Sequence, residues 1–181
     1  MPIPAKRTKT AATYQLKITL EGVRPPIWRR VLVPGGIRLD ALHTVLQIAM
    51  GWTDSHLHEF IKGGNKWTLL DLEEDAYSKK LDERAFRLHE LLTRAGDKMQ
   101  YVYDFGDDWK HKVVLEKILP EGGGPSRPSC VDGKRTGPPE DCGGVYGFVE
   151  MEQDEEDEYE FSVGAVDALL AQEKWPADSM G

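Results

Sequence analysis

The first third of the chain alternates apolar and polar residues twice and then changes to helical spacing. Apolar residues occupy every second position of residues 14–20, which is the period of a half-buried strand. Residues 27–33 form a second such run, and the Gly- and Pro-containing residues 22–26 supply the turn. Apolar residues then recur every three or four positions over residues 39–49, and Gly51 ends the pattern. This part of the sequence predicts a β-hairpin covered by one amphipathic helix.

Strand-like runs return in the middle of the chain. Residues 57–61 and 66–70 are short strand candidates on either side of a Gly-Gly-Asn turn. In residues 99–105 a methionine, two tyrosines and a phenylalanine occupy alternate positions and therefore share one face. Residues 109–118 form another run after a Gly-Asp-Asp turn. The sequence predicts a second hairpin here.

The remaining segments predict short helices and one long loop. Residues 88–92 form at most one helical turn, and residues 119–144 are so rich in Gly and Pro that we expect no regular structure there. Residues 145–151 and 162–172 have helical patterns on either side of an acidic run, residues 150–160, which we expect to stay in solvent. These elements predict the α+β class, with helices packed on a mainly antiparallel sheet.

Length and composition favour one folded domain. The chain has 181 residues, of which 40% are hydrophobic. Residues 1–12 contain three basic residues and no apolar pattern, so we expect a mobile basic arm before a single domain, residues 13–181. No apolar run approaches the roughly 20 residues that span a bilayer, and the first residues lack the apolar stretch of a signal peptide. We therefore expect a cytoplasmic protein without membrane contact.

The net charge of −8 hides an uneven distribution. Residues 1–50 carry eight Lys or Arg against two Asp or Glu, whereas residues 51–181 carry fifteen against twenty-nine. A basic and aromatic cluster in the first part could hold phosphates or stack on bases. Its members are Arg24, Trp28, Arg29 and Arg30, with Arg38 as a further basic residue. Alternatively, Arg29 and Arg30 point to opposite faces of a strand, one in solvent and one paired with an acid such as Asp104.

Histidines and cysteines offer a second kind of site. His56 and His58 are two positions apart, so in a strand both imidazoles would project from one face and could bind one zinc ion. The metal-ligand candidates are His56, His58, His111, Cys130 and Cys142. No compact zinc motif joins them, so hydrogen-bonded histidines and two free thiols are the alternative. The Cys142 thiol would be activated only if Gly143 opened a helix, whose N-terminus favours thiolate.

Acidic residues offer a third kind of site, for a metal-dependent hydrolase or nuclease. The candidates for that chemistry are Asp104, Asp107, His111, Glu140 and Cys142. Asp107 and Asp141 also fit ordinary capping of a turn and of a helix. The sequence has no phosphate-binding P-loop, no dinucleotide fingerprint and no nucleophile elbow. Spatial convergence of three or more of these side chains would favour the enzyme.

Six motifs, taken in order, resemble one family. They are residues 25–30 (PPIWRR), Leu42-His43, residues 49–52 (AMGW), His56-Leu57-His58, residues 103–107 (YDFGD) with Trp109 and His111, and residues 138–144 (PPEDCGG). The combination resembles the plasmid pRiA4b ORF-3-like family, also described as passenger proteins of insertion elements with a TnpR label. The resemblance implies an α+β roll similar to ubiquitin-like folds and a link to plasmids and mobile elements. It implies no known activity.

The sequence departs from the family pattern at Gly137, where relatives commonly have Cys before Pro-Pro-Glu-Asp. Our leading hypothesis is a non-catalytic binding module whose protein or nucleic-acid partner meets the second hairpin and the PPEDCGG loop. The alternative is the metal-dependent hydrolase or nuclease. Zinc is the only cofactor that the residues suggest, and the sequence leaves the oligomeric state open.

Overall fold

The computed structural model describes residues 12–71, 77–154 and 161–181. Within them eight strands form one sheet. The strands are β1 Thr13–Leu20, β2 Trp28–Pro34, β3 His58–Lys62, β4 Asn65–Thr68, β5 Leu81–Asp82, β6 Lys98–Tyr103, β7 Trp109–Leu119 and β8 Ser129–Lys134. The predicted basic arm lies outside the described residues, apart from Ala12.

The sheet has the order β5-β4-β3-β6-β7-β1-β2-β8. All neighbouring strands are antiparallel except the parallel pair β4 and β5. The two hairpins predicted from the sequence are β1–β2 and β6–β7, and they join through the pairing of β1 with β7. The predicted class, α+β with a mainly antiparallel sheet, is confirmed.

Four α-helices are present in the described residues. They are α1 Leu39–Met50, α2 Leu88–Leu91, α3 Gly144–Asp154 and α4 Val163–Gln172, and a 3₁₀ turn covers Glu83–Ala85. Helix α1 ends as the sequence predicted, because Gly51 adopts a left-handed conformation with φ of 80° and its N–H closes the last turn. No helix in the described part of the chain is long and apolar enough to cross a membrane.

One hydrophobic core joins the sheet and the helices. In β1 the side chains of Leu16, Ile18 and Leu20 are buried while the residues between them are half-exposed, which is the alternation seen in the sequence. Val113 and Leu115 of the neighbouring strand β7 are fully buried in the same core. Helix α1 contributes Leu39, Leu42, Val45 and Leu46. The apolar stripe of α1 therefore covers this face of the sheet.

One prediction about the fold is wrong. Residues 119–144 contain strand β8, which pairs antiparallel with β2 at the edge of the sheet. The glycine in this strand, Gly133, faces the ring of Phe161 so closely that a Cβ would not fit. Main-chain pairing at an edge needs no apolar alternation, so the pattern of side chains could not reveal this strand.

Candidate functional site

The family-like motifs meet at one end of the sheet, where several loops are tied together. The indole N–H of Trp52, just after α1, donates to the carbonyl of Pro138 at 2.8 Å. The backbone N–H of Thr53 donates to the Glu140 carboxylate, also at 2.8 Å. These two bonds fasten the PPEDCGG loop to the end of α1. Sequence-distant motifs thus share one surface.

At this surface three carboxylates surround one imidazole. The Nε2 atom of His56 lies 2.9 Å from Asp141 Oδ1, 3.6 Å from Asp104 Oδ2 and 3.9 Å from Glu140 Oε2. This Nε2 is almost without exposed surface and makes no hydrogen bond, because the close Asp141 oxygen does not meet hydrogen-bond geometry. We call these four residues the His56 centre.

The backbone around the His56 centre aims its side chains inward. Asp104 follows β6 with φ of 57°, and Asp141 has φ of 56°. Such left-handed conformations are uncommon outside glycine, although aspartate tolerates them better than most residues. The Oδ1 atom of Asp104 accepts the N–H groups of Gly106 and Asp107 at 3.0 and 3.3 Å. That capping leaves Oδ2 directed toward His56.

Glu140 is held in place as a carboxylate. Its Oε1 accepts the Thr53 N–H and the hydroxyl of Tyr103, the latter at 3.0 Å. Burial favours the neutral acid, but the hydrogen bonds together with the nearby His56 leave the pKa of Glu140 below its usual value. The Tyr103 ring in turn stacks on Trp52 with 4.9 Å between centroids. The Glu140 carboxylate is therefore both positioned and ionised at neutral pH.

A second histidine group lies in the adjoining cleft. The rings of His43 and His58 are parallel within 5° and stacked 3.4 Å apart. His43 Nε2 contacts Asp54 Oδ1, and His58 Nε2 contacts Glu83 Oε2, each at 2.7 Å. We call these four residues the stacked pair. With His56 and several hydroxyl-bearing and leucine side chains, they line a cleft of about 650 Å³.

Hydrogen bonds fix the tautomer of His43. The Asp54 N–H donates to the side-chain oxygen of Gln47, which leaves the Gln47 amide to donate to the Tyr101 hydroxyl. Tyr101 then uses its one proton to donate to His43 Nδ1, and the His43 Nε2–H donates to Asp54. Burial also lowers the pKa of His43. His43 is therefore a neutral imidazole within a closed ring of hydrogen bonds.

The stacked pair is not arranged to share a metal ion. An ion midway between parallel rings 3.4 Å apart would lie about 1.7 Å out of each ring plane. Since zinc lies about 2.0–2.1 Å from a ligating nitrogen and along its in-plane lone pair, both rings would have to turn. Moreover, the structure places His56 and His58 in different groups, whereas their spacing in the sequence had allowed both to bind one zinc ion.

The remaining metal and catalytic candidates lie elsewhere. His111 is fully buried, contacts the edge of Trp52 and has a pKa lowered to about 4 by burial. Asp107 accepts the Gly143 N–H of the PPEDCGG loop at 3.2 Å, whereas the hairpin turn that we expected Asp107 to cap is capped by Asp104. Burial raises the pKa of both Cys130 and Cys142. Helix α3 begins at Gly144, and burial together with the Asp107 charge keeps Cys142 as the thiol, so the conditional activation of Cys142 gains no support.

Most of the predicted nucleic-acid residues are engaged within the protein. Arg29 is buried and donates to the carbonyls of Ala49, Trp28 and Lys134, so the expected pairing with Asp104 is wrong. Its guanidinium also lies 3.8 Å from the ring centroid of Phe161. Arg30 forms ion pairs with Glu116 and Asp132, and Arg38 forms ion pairs with Asp40 and Asp178. The Trp28 ring makes cation–π contacts with Lys17 and Arg30. Arg24 is exposed.

Sequence reasoning missed three residues of the two histidine groups, namely His43, Asp54 and Glu83, as site residues, and it favoured a capping role for Asp141. His43 carried a signal, because it belongs to the motifs that resemble the family. Asp54 and Glu83 carried none, since an isolated acid in a loop is ordinary. Only the folded chain brings them to the imidazoles.

Comparison with known proteins identifies the family of this chain. The family described as "Plasmid pRiA4b ORF-3-like protein" matches residues 12–175. The uncharacterized protein y4hQ of Sinorhizobium fredii (strain NBRC 101917 / NGR234) is 41% identical over 142 residues, which are 78% of this chain and 72% of that protein. The crystal structure of MM3350 from Methanosarcina mazei Go1, a protein of unknown function, has a TM-score of 0.73 and 35% identity, covering 86% of this chain and 96% of that one. The chain therefore belongs to the plasmid pRiA4b ORF-3-like protein family.

Proposed function

We propose that this protein is a non-catalytic binding module and that its partner is a protein segment. The binding surface comprises α3 and the turn between β6 and β7. The observation that carries the proposal is a set of exposed apolar side chains at this end of the molecule. Tyr146 is 88% exposed, and Val149, one helical turn further along α3, is exposed as well. Phe105 in the turn and Leu57 just before β3 add to the set.

The turn and the start of α3 form one continuous unit. Asp107 in the turn accepts the N–H of Gly143, and its carbonyl packs so closely on Gly144 that no Cβ would fit there. These contacts hold the turn that carries Phe105 beside the start of α3. Exposed apolar side chains on a fixed surface are typical of protein interaction sites.

The acidic charge that begins within α3 indicates which partner segments would be complementary. Eight of the eleven residues 150–160 are acidic and none is basic. A partner segment with apolar side chains flanked by Lys or Arg would complement both this charge and the apolar stripe of Tyr146 and Val149. Nucleic acid fits less well, because Arg29 and Arg30 already bind groups within the protein.

The five residues that we considered for a hydrolase or nuclease do not form one site. Asp104 and Glu140 meet at the His56 centre. His111 lies in the core, and Asp107 caps Gly143 instead. An enzyme that uses all five residues together has no support in this arrangement.

The proposal is tested by NMR titration of the ¹⁵N-labelled protein with two probes. The first is an amphipathic Leu/Lys helical peptide of about 20 residues, the length of recognised helical segments, and the second is a short DNA duplex. We expect the peptide to shift the amides of α3 and of the β6–β7 turn. Tyr146→Ser and Val149→Ser should abolish those shifts without unfolding the protein, because both residues are exposed.

Ile118→Ser is the matched control, since Ile118 is an exposed apolar residue at the opposite end of β7. It should leave peptide binding unchanged. Binding of DNA with shifts around Arg24 and Arg30, or no response to the peptide at α3, would contradict the proposal. Self-association through the Tyr146 surface would also contradict it, and a dilution series detects that outcome.

A further inference from the structure

We propose that the His56 centre binds one divalent transition-metal ion of the class from Mn²⁺ to Zn²⁺. The site adjoins the partner surface, because Asp104 begins the β6–β7 turn, but the proposal does not rest on that surface. Its four side chains come from three separate chain segments: the loop before β3, the end of β6 and the PPEDCGG loop. Their convergence is the first observation that supports an ion.

The spacing of the donor atoms matches a coordination shell. Ligands that each lie about 2.0–2.2 Å from a metal ion are about 3–4 Å from one another. The Nε2 of His56 lies 2.9, 3.6 and 3.9 Å from the three carboxylate oxygens. The ligand atoms of His56, Asp104 and Asp141 all lie within 4.8 Å of one another. Glu140 is not in this set of three, so an ion held by His56, Asp104 and Asp141 would gain Glu140 as a ligand only after rotation of its side chain.

The charge of the centre calls for a cation. Three carboxylates meet around a single imidazole, and within 4 Å the described residues offer these carboxylates no Lys or Arg. Like charges this close destabilise one another, and a divalent ion removes that repulsion. At least two negative charges remain even if His56 is protonated. An ion of charge +2 balances them.

One buried polar atom of the centre supports the same conclusion. His56 Nε2 is almost without exposed surface and has no hydrogen-bond partner, which is unusual for a buried polar atom. Asp104 is more than nine-tenths buried, and its capping bonds use Oδ1 while Oδ2 faces His56. A metal ion would give His56 Nε2 a partner and would bind the Asp104 oxygen that the capping bonds do not use.

The donor set indicates the class of ion. Carboxylate oxygens suit Mg²⁺, Ca²⁺ and Mn²⁺, whereas an imidazole nitrogen suits Zn²⁺ and its neighbours in the first transition row. One nitrogen with three carboxylates therefore favours a first-row transition ion over Ca²⁺ or Mg²⁺, which are bound through oxygen. Glu140 also has the outer hydrogen bonds, from Tyr103 and Thr53, that fix a metal ligand in place.

The test is isothermal titration of the metal-free protein with MnCl₂, ZnCl₂ and CaCl₂ in separate runs, without a metal-affinity tag. We expect one equivalent of Mn²⁺ or Zn²⁺ to bind, and Ca²⁺ to bind more weakly. Asp104→Asn and Glu140→Gln should each weaken metal binding at least about 10-fold. Loss of a direct ligand lowers metal affinity more than loss of a residue that only hydrogen-bonds to a ligand. Circular dichroism checks that both variants fold.

Asp108→Asn is the matched control, because Asp108 lies in the same turn, has the same positive φ and contacts only Lys110 among its charged neighbours in the described residues. It should bind metal like the unaltered protein. No binding, or binding that survives Asp104→Asn but is lost in His43→Gln, would overturn the proposal. Tyr146→Ser should keep the metal, so failure of the partner surface and failure of the metal site are separate results.

Discussion

The two histidine groups are neighbours, since His56 lines the same cleft as the stacked pair, yet their hydrogen bonding differs. In the stacked pair each imidazole nitrogen that faces a carboxylate bonds it at 2.7 Å. In the His56 centre three carboxylates surround one nitrogen that bonds none of them. The first group is complete as a set of protein contacts, whereas the second lacks a positive charge. A count of histidines and acids alone would not distinguish them.

The comparison teaches that ligand direction matters as much as ligand identity. Parallel rings hold their lone pairs in two parallel planes 3.4 Å apart or less, so the two rings of the stacked pair cannot both direct an in-plane lone pair at one ion. The residues of the His56 centre have left-handed backbones at Asp104 and Asp141 that turn both acids toward one point. Uncommon backbone conformations of this kind often mark functional positions.

The largest expected effect comes from breaking the stacked pair. Glu83 has a side chain only 2% exposed, so Glu83→Ala leaves His58 buried without its partner. We expect the free energy of unfolding to fall by about 3 kcal/mol, as for other broken buried pairs. Urea denaturation measures it. Asp54→Asn is the control and should cost less than about 1 kcal/mol, because asparagine still accepts the His43 Nε2–H, suits the positive φ and replaces a side chain that is 62% exposed; equal losses would contradict the account.

The stability of the protein should depend on pH through its buried histidines. Burial lowers the pKa of His111 to about 4 from 6.5 and lowers that of His43 as well. The unfolded chain then takes up protons first, so stability is complete above pH 6.5 and falls as the pH drops toward 4. For His111 the free energy of unfolding should fall by about 3 kcal/mol, because each unit of pKa shift corresponds to about 1.4 kcal/mol.

Urea denaturation between pH 7 and pH 4 measures this dependence. His111→Gln has no titrating group at that position, so its stability should change less steeply with pH than that of the unaltered protein. An unchanged slope in this variant would show that other groups control the acid response.

A smaller effect should come from moving the PPEDCGG loop. Gly137 packs against the carbonyl of Met50 so closely that a Cβ has no room. Gly137→Ala should shift the loop, weaken the bond between Trp52 and Pro138, and lower stability by about 2 kcal/mol, as overpacking does. The shift should reach the His56 centre and leave His43 unaffected. NMR spectra of the histidine side chains distinguish these outcomes, and a change confined to His43 would contradict the prediction.

The smallest change in stability should follow removal of a charge from the His56 centre. Asp104→Asn keeps the oxygen that caps Gly106 and suits a left-handed backbone. It also relieves repulsion among the carboxylates, so the metal-free stability should stay within about 1 kcal/mol of the original. Thermal unfolding in the presence of a chelator tests this. A loss well above that value would mean that the Asp104 charge is already balanced within the protein.

Much of the fold was predictable because the central strands alternate strictly. Residues 14–20 and 109–118 became β1 and β7, and Gly51 ended α1 as its sequence position indicated. Strand β8 was not predictable, since its pairing depends on main-chain bonds to β2 and on the space left by Gly133. Local sequence patterns indicate which side chains are buried, and an edge strand buries few of its side chains.

The site was predictable only in part. Asp104 and Glu140 stood out as acids within the motifs that resemble the family, and His56 stood out because His58 lies two positions further along. Their assembly depends on contacts far apart in sequence, such as Trp52 with Pro138. Likewise, Arg29 resembled a surface cation, yet its guanidinium binds three buried or half-buried carbonyls. Sequence spacing shows which residues are available but not which of them meet.

The most direct test of the central claim is an anomalous difference map from crystals soaked in MnCl₂. We predict one peak, with ligand distances of about 2.0–2.2 Å for this class of ion, among His56, Asp104, Glu140 and Asp141. The space between His43 and His58 should hold none. A peak at the stacked pair, or no peak at the His56 centre in well-diffracting crystals, would contradict the account.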